Sequence, residues 1–190
     1  MFILTILSHT PIWVWVLLAF LISRGVAAMR PREVSPSRIL IVPLVFLVWG
    51  LTGMFGADDL TLKLALFAGG LLAGLAAGWG LASLLPAPRL SRATRLLAMP
   101  GSPVPLILIG LAFMTKYVGT VALALNSDVA VHAEIAAALA AAGGLFAGLF
   151  WGRTLGQFAR ALQADGELVT FRGLVDLVVA RPGKSASAAP

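Results

Sequence analysis

The chain has 190 residues, 59% of them hydrophobic and only 12% charged, with a mean hydropathy of +0.97. Soluble domains carry roughly a quarter charged residues, so a water-soluble globular domain is excluded, and the absence of cysteine excludes disulfides, thiol relays and thiolate metal or iron–sulfur sites. The net charge of +6 does not imply nucleic acid, because the basic residues sit in short loops flanking apolar runs, with no interleaved aromatic patch.

Taken in order, residues 1–8 are apolar and His9-Thr10-Pro11 reads as a helix start, with Thr10 as N-cap and Pro11 at the first helical position. The first span is predicted over about 11–28, with Trp13 and Trp15 at the headgroup level. The opening MFILTILS has no positive side chain, and Arg24, Arg30 and Arg32 follow the apolar run. This order argues for a retained span over a cleavable signal. A basic loop bounded by Pro31 and Pro36 leads to a second span over about 39–55, with Pro43 near its first turn. Gly56-Ala57-Asp58-Asp59 is an acidic turn in which Asp58 or Asp59 is expected to cap the third span, about 60–85. That span stops at Pro86-Ala87-Pro88, and the next loop, with Arg89, Arg92 and Arg95, is expected to lie on the membrane as a short amphipathic helix. Pro100 and Pro103 precede a fourth span over about 104–125, and a fifth covers about 134–152. Residues 154–163 should continue it as an amphipathic helix, followed by a hairpin turning at Arg172-Gly173 and a disordered end. The domain reading is therefore a five-helix transmembrane unit over 1–160 and a short tail over 161–190.

Twelve of the fourteen Lys and Arg residues fall on one side of these spans; Lys63 is on the other and Lys116 lies within a span. The positive-inside rule then places the amino terminus outside and the carboxyl terminus in the cytoplasm. Two segments resemble one another: AGGLLAGLAAG at 68–78 and AGGLFAGLFWG at 142–152 are identical at eight of eleven positions. Each follows a span that opens with Pro-Leu, which suggests two helical hairpins in parallel orientation. Chance resemblance among Gly-, Ala- and Leu-rich helices is the alternative. Gly70, Gly74 and Gly78, and Gly144, Gly148 and Gly152, recur every fourth residue. Such a stripe lets another helix approach to backbone contact. The expected use is packing of the third and fifth spans on one another or on neighbours; a homo-oligomer or a membrane-complex partner is the competing use. The fold class is thus all-α, five transmembrane helices with two glycine-striped hairpins.

Lys116 is the residue that composition alone does not explain. A cation at the bilayer centre costs roughly 2.5–3.5 kcal/mol on insertion scales, so it either faces an interior or snorkels outward. Its neighbours at helical spacing, Ala112, Phe113, Gly119 and Thr120, form a small, partly polar face, and Tyr117 can hydrogen-bond at depth. Counting depth down the two spans sets Lys116 opposite Gly143 and Gly144. His9, His132, Asp128 and Glu134 share the outer side and are weak metal or haem candidates, the bland reading being interfacial histidines and helix-capping acids. Serine–histidine spacing offers no nucleophilic site, no phosphate-binding glycine loop is present, and no cofactor is expected.

The segment His9-Thr10-Pro11-Ile12-Trp13-Val14-Trp15, Arg24-Gly25, Thr115-Lys116-Tyr117 and the exit Gly148–Arg153 resemble a family of small bacterial inner-membrane proteins known as a domain of unknown function. The resemblance spans roughly residues 5–160 and departs from the expected small-residue pattern at Trp49-Gly50-Leu51-Thr52-Gly53. It implies a membrane location and no activity, so no catalytic residue is carried over. Three functions remain in view. The first is a structural or accessory membrane protein; the second is a small carrier or channel for an anionic or proton-coupled solute, using Lys116. The third is a haem or metal redox protein using His9 and His132.

Overall fold

Prolines decide where this chain can be helical. The residue before a proline is steered away from the α region, and the protein, seen here as a computed structural model describing residues 12–52, 59–91, 96–125 and 128–164, breaks its helices accordingly. Ser35, before Pro36, is extended at φ −63° and ψ 133°. Leu85, before Pro86, is extended at φ −94° and ψ 156°. The resulting elements are α1 (Ile12–Ala27), β1 (Arg32–Val34), α2 (Pro36–Ile39), α3 (Ile41–Thr52), α4 (Leu60–Leu84), β2 (Arg89–Ser91), β3 (Leu96–Met99), α5 (Val104–Leu125) and α6 (Val129–Ala164).

Three of these helices, α4, α5 and α6, are long and apolar enough to cross a membrane; α1 and the α2–α3 stretch are shorter apolar helices. The α2–α3 stretch is interrupted at Leu40. Pro43 has no N–H to give the carbonyl of Ile39, so the hydrogen-bond ladder fails at that point. Asp59 occupies the N-cap position of α4, but it sits in the left-handed region at φ 59° and makes no side-chain cap hydrogen bond. The expected capping by Asp59 is therefore corrected; Asp58 lies outside the described residues, as do His9, most of the acidic turn, Arg92, Arg95 and the carboxyl-terminal hairpin.

The all-α expectation needs a second correction. The loop after α4 does not form an amphipathic helix; β1, β3 and β2 make a small antiparallel sheet in that order. Pro86, Pro88 and Pro100 bound this segment, and its short extended stretches satisfy their backbone groups by pairing. Arg32 stands opposite Met99, Glu33 opposite Ala98 and Val34 opposite Leu97. Strand alternation puts Arg32 and Val34 on one face and Glu33 on the other. Leu97, on the same face as Val34, is fully buried against Phe158, Ala161 and Leu162 of α6, with Leu90 of β2 beside them. At 36 residues, α6 is about 54 Å long at about 1.5 Å per residue. It therefore serves both the helical bundle and the sheet.

Two kinds of packing meet on α6. Along one face lies α4. A Cβ on Gly70, Gly74 or Gly78 would overlap the carbonyl of Ala141, Leu145 or Leu149, and one on Gly144, Gly148 or Gly152 would overlap that of Phe67, Leu71 or Leu75. A Cβ on Gly74 would also come within 3.0 Å of the Gly148 Cα. The partners advance in the same direction along both helices, so α4 and α6 run parallel, backbone against backbone. Along its other face, α6 meets α3 and α5 through ordinary side-chain packing, and α1 packs on α5; Leu21, Phe46, Leu108, Ile109, Ala112 and Phe150 form one buried cluster. Phe46 and Phe150 stack at 4.4 Å between centroids.

Candidate functional site

Basic residues from four elements come together at the arginine-bearing end. Arg24 is in the last turn of α1, Arg32 on β1, Arg38 in the last turn of α2 and Arg153 on α6. These four line one small cleft that is partly open to solvent. Thr154 contributes a hydroxyl, and Pro43, Ile109 and Phe150 are among the apolar residues of its wall. Among the described residues no aspartate or glutamate lines it. Glu33 is turned to the opposite face of its strand by the alternation that directs Arg32 inward.

Arg153 and Arg32 are held against their preference for water, while Arg38 is exposed. Arg153 is 7% exposed and its Nε has no hydrogen-bond partner. Burial, with repulsion from nearby Arg24, holds the Arg32 guanidinium below its usual value. Arg24 finds partial compensation over the Phe20 ring, 5.2 Å from its centroid. One turn beyond Arg153, Gln157 is 2% exposed and its Oε1 is also without a partner. Arg160 has a different task. Its guanidinium donates to the carbonyls of Ala82 and Leu85 at the end of α4, satisfying acceptors that a helix terminus leaves free and placing a cation at the negative end of the dipole.

Lys116, on α5, borders a separate gap lined by Phe46, Trp49, Gly50, Ala112, Gly143 and Phe146. Its Nζ lies 3.8 Å from where a Cβ on Gly143 would stand, so the ammonium packs beside α6 at that glycine. Thr120 spends its hydroxyl on the carbonyl of Lys116 one turn back, at 2.8 Å. Tyr117 stacks on Phe113 at 5.8 Å. Neither hydroxyl is given to the ammonium, and among the described residues it has no carboxylate partner.

At the opposite end Asp128 accepts a hydrogen bond from the Ala130 amide at 2.9 Å, which caps α6. His132 and Glu134 are exposed on the first turns of that helix. Among the described residues no three metal-ligating side chains come together.

Comparison with protein families decides the chain's kinship. The model of a family of unknown function, DUF6622, matches residues 1–165. The chain belongs to this family. The match takes in all nine described elements, the arginine cleft and Lys116 included. No curated protein and no solved structure matches the chain.

The sequence pointed to Lys116 and the glycines but passed over the arginine cleft. The signal was present: Arg153-Thr154 and Gln157 continue the face of α6 that carries Phe150. They are polar residues placed where a packed helix should be apolar.

Proposed function

We propose that this family member is a multi-pass protein of the bacterial inner membrane. It has five spans, its amino terminus lies outside and its arginine-bearing end faces the cytoplasm, where it serves a structural or accessory role. One observation carries this reading: α6 contributes buried residues from Ala140 to Leu162, packed first on α4 and the helical bundle and then on the three-stranded sheet. About 54 Å of helix exceeds a hydrocarbon core of about 30 Å. One rigid element thus joins a membrane bundle to a basic surface beside it. The gathering of Arg24, Arg32, Arg38 and Arg153 at one end supports the assigned orientation. The constant offset of 74 residues between facing positions, such as Gly74 and Gly148 or Gly78 and Gly152, supports an internal repeat that forms a parallel glycine zipper.

The chain has no cysteine, so single cysteines report orientation cleanly. Ser37→Cys, on the exposed surface of the arginine-bearing end, should resist an impermeant maleimide applied to whole cells. Val129→Cys, 83% exposed at the start of α6, should react. The reverse pattern would overturn the orientation.

A second reading, a small carrier for an anionic or proton-coupled solute, has the Lys116 ammonium against Gly143 in its favour. Liposome flux with the wild type and Lys116→Met separates the two. Flux that disappears in the variant sinks the accessory reading, and equal flux in both sinks the carrier.

A further inference from the structure

We propose that the arginine cleft is a binding site for a phosphate-type oxyanion, a phosphomonoester or phosphodiester held by Arg24, Arg32, Arg38 and Arg153. This site stands apart from the accessory and carrier readings and requires neither. Three observations converge on it. Four arginines drawn from four separate elements line one cleft, and the described lining supplies no carboxylate to neutralise them. Packing like charges in a partly dry cleft is unfavourable unless an anion joins them. The most deeply buried of the four, Arg153, is 7% exposed and leaves its Nε without a hydrogen-bond partner. A buried donor left unpaired costs free energy that a bound acceptor would recover.

The chemistry of the donors selects the ligand class. Guanidinium presents a planar fork of donors that matches the oxygens of phosphate, which is why arginine is favoured where such groups are recognised. The Thr154 hydroxyl adds a neutral donor at the same wall. The apolar part of the wall, Pro43, Ile109 and Phe150, comes from the helices of the bundle. A phosphate there could belong to the headgroup of an anionic lipid, since basic pockets between membrane helices bind such headgroups, or to a small soluble phosphate.

The test uses the full chain purified in a nonionic detergent. Native mass spectrometry with added phosphatidylglycerol or phosphatidylcholine reads the lipid arm. Thermal unfolding with inorganic phosphate against chloride at matched ionic strength reads the soluble arm. Preferential retention of phosphatidylglycerol without a phosphate shift assigns the site to a lipid headgroup, and a phosphate shift shows that the free anion suffices. In either case Arg32→Gln/Arg38→Gln should weaken binding by about tenfold or more, the loss expected when charge-assisted hydrogen bonds are removed. Arg30→Gln, exposed and outside the cleft lining, should leave it within about twofold. Arg153→Lys keeps the charge and removes the fork, so it should weaken binding by a smaller factor than the double variant. If the double variant does not elute as a single folded species, the two single variants carry the same comparison. Equal retention of both lipids together with no phosphate shift, or binding undiminished by these substitutions, overturns the site.

Discussion

The two faces of α6 achieve close packing by opposite means. Against α4 the contact is made by what is missing: six glycines bring backbone to backbone so closely that even a methyl group would collide with a carbonyl. Against α3 and α5 the contact is made by bulk, with Phe46, Phe150, Leu21 and Ile109 filling the space between helices. In a bilayer, burial from water gives no drive for helices to associate, so van der Waals fit and weak Cα–H···O contacts must do it. The glycine face therefore has no tolerance for added atoms, while the aromatic face has little tolerance for lost ones.

Four substitutions break or sharpen that contrast. Gly148→Leu should have the largest effect, because its side chain would enter the backbone of Leu71, Gly74 and Leu75. A cost of about 3 kcal/mol or more is expected, read as loss of a monodisperse folded species and of helical signal on detergent titration. Phe46→Ala empties the stack on Phe150 and should cost about 3 kcal/mol, with the helices still associated; the same titration should show a lowered midpoint. Arg160→Ala frees the carbonyls of Ala82 and Leu85. It should cost about 1–2 kcal/mol, seen as faster proteolysis near the end of α4. Gly69→Leu is the control that sharpens the comparison. Gly69 adjoins Gly70 in sequence, yet a Cβ there meets nothing within 4 Å, so stability should change by less than about 0.5 kcal/mol. A loss as large as that of Gly148→Leu would mean that the open face of α4 is also packed, against a second copy or another partner.

The glycine pattern was readable because a helix repeats its faces every three to four residues, so Gly70, Gly74 and Gly78 declare a stripe by spacing alone. Packing of the third span on the fifth was one use the spacing allowed, but spacing did not choose it over a neighbouring helix; α4 and α6 are separated in the chain by β2, β3 and α5, and proximity in space is not encoded by either period. The depth of Lys116 was similarly accessible by counting residues along two spans, and its ammonium stands against Gly143. That Thr120 turns its hydroxyl to the Lys116 carbonyl depended on a local rotamer. The sheet escaped detection because its strands are only three or four residues long, too short for a period-two pattern to emerge. In the sequence the four cleft arginines register only as markers of membrane side; their convergence depends on β1, which turns Arg32 inward and Glu33 away.

Sequence by itself determined the apolar helices, the proline-set breaks between them, the glycine stripes and the asymmetry of charge. Each of these is local, written in a period, a forbidden dihedral or a count. Tertiary structure alone decided that the two stripes face each other in parallel, that α6 runs on to hold a sheet, and that Arg24, Arg32, Arg38 and Arg153 share one cleft. The physical reason is the same in all three cases. The partners are far apart in the chain, and only the closing of the bundle around α6 brings their backbones and charges within reach.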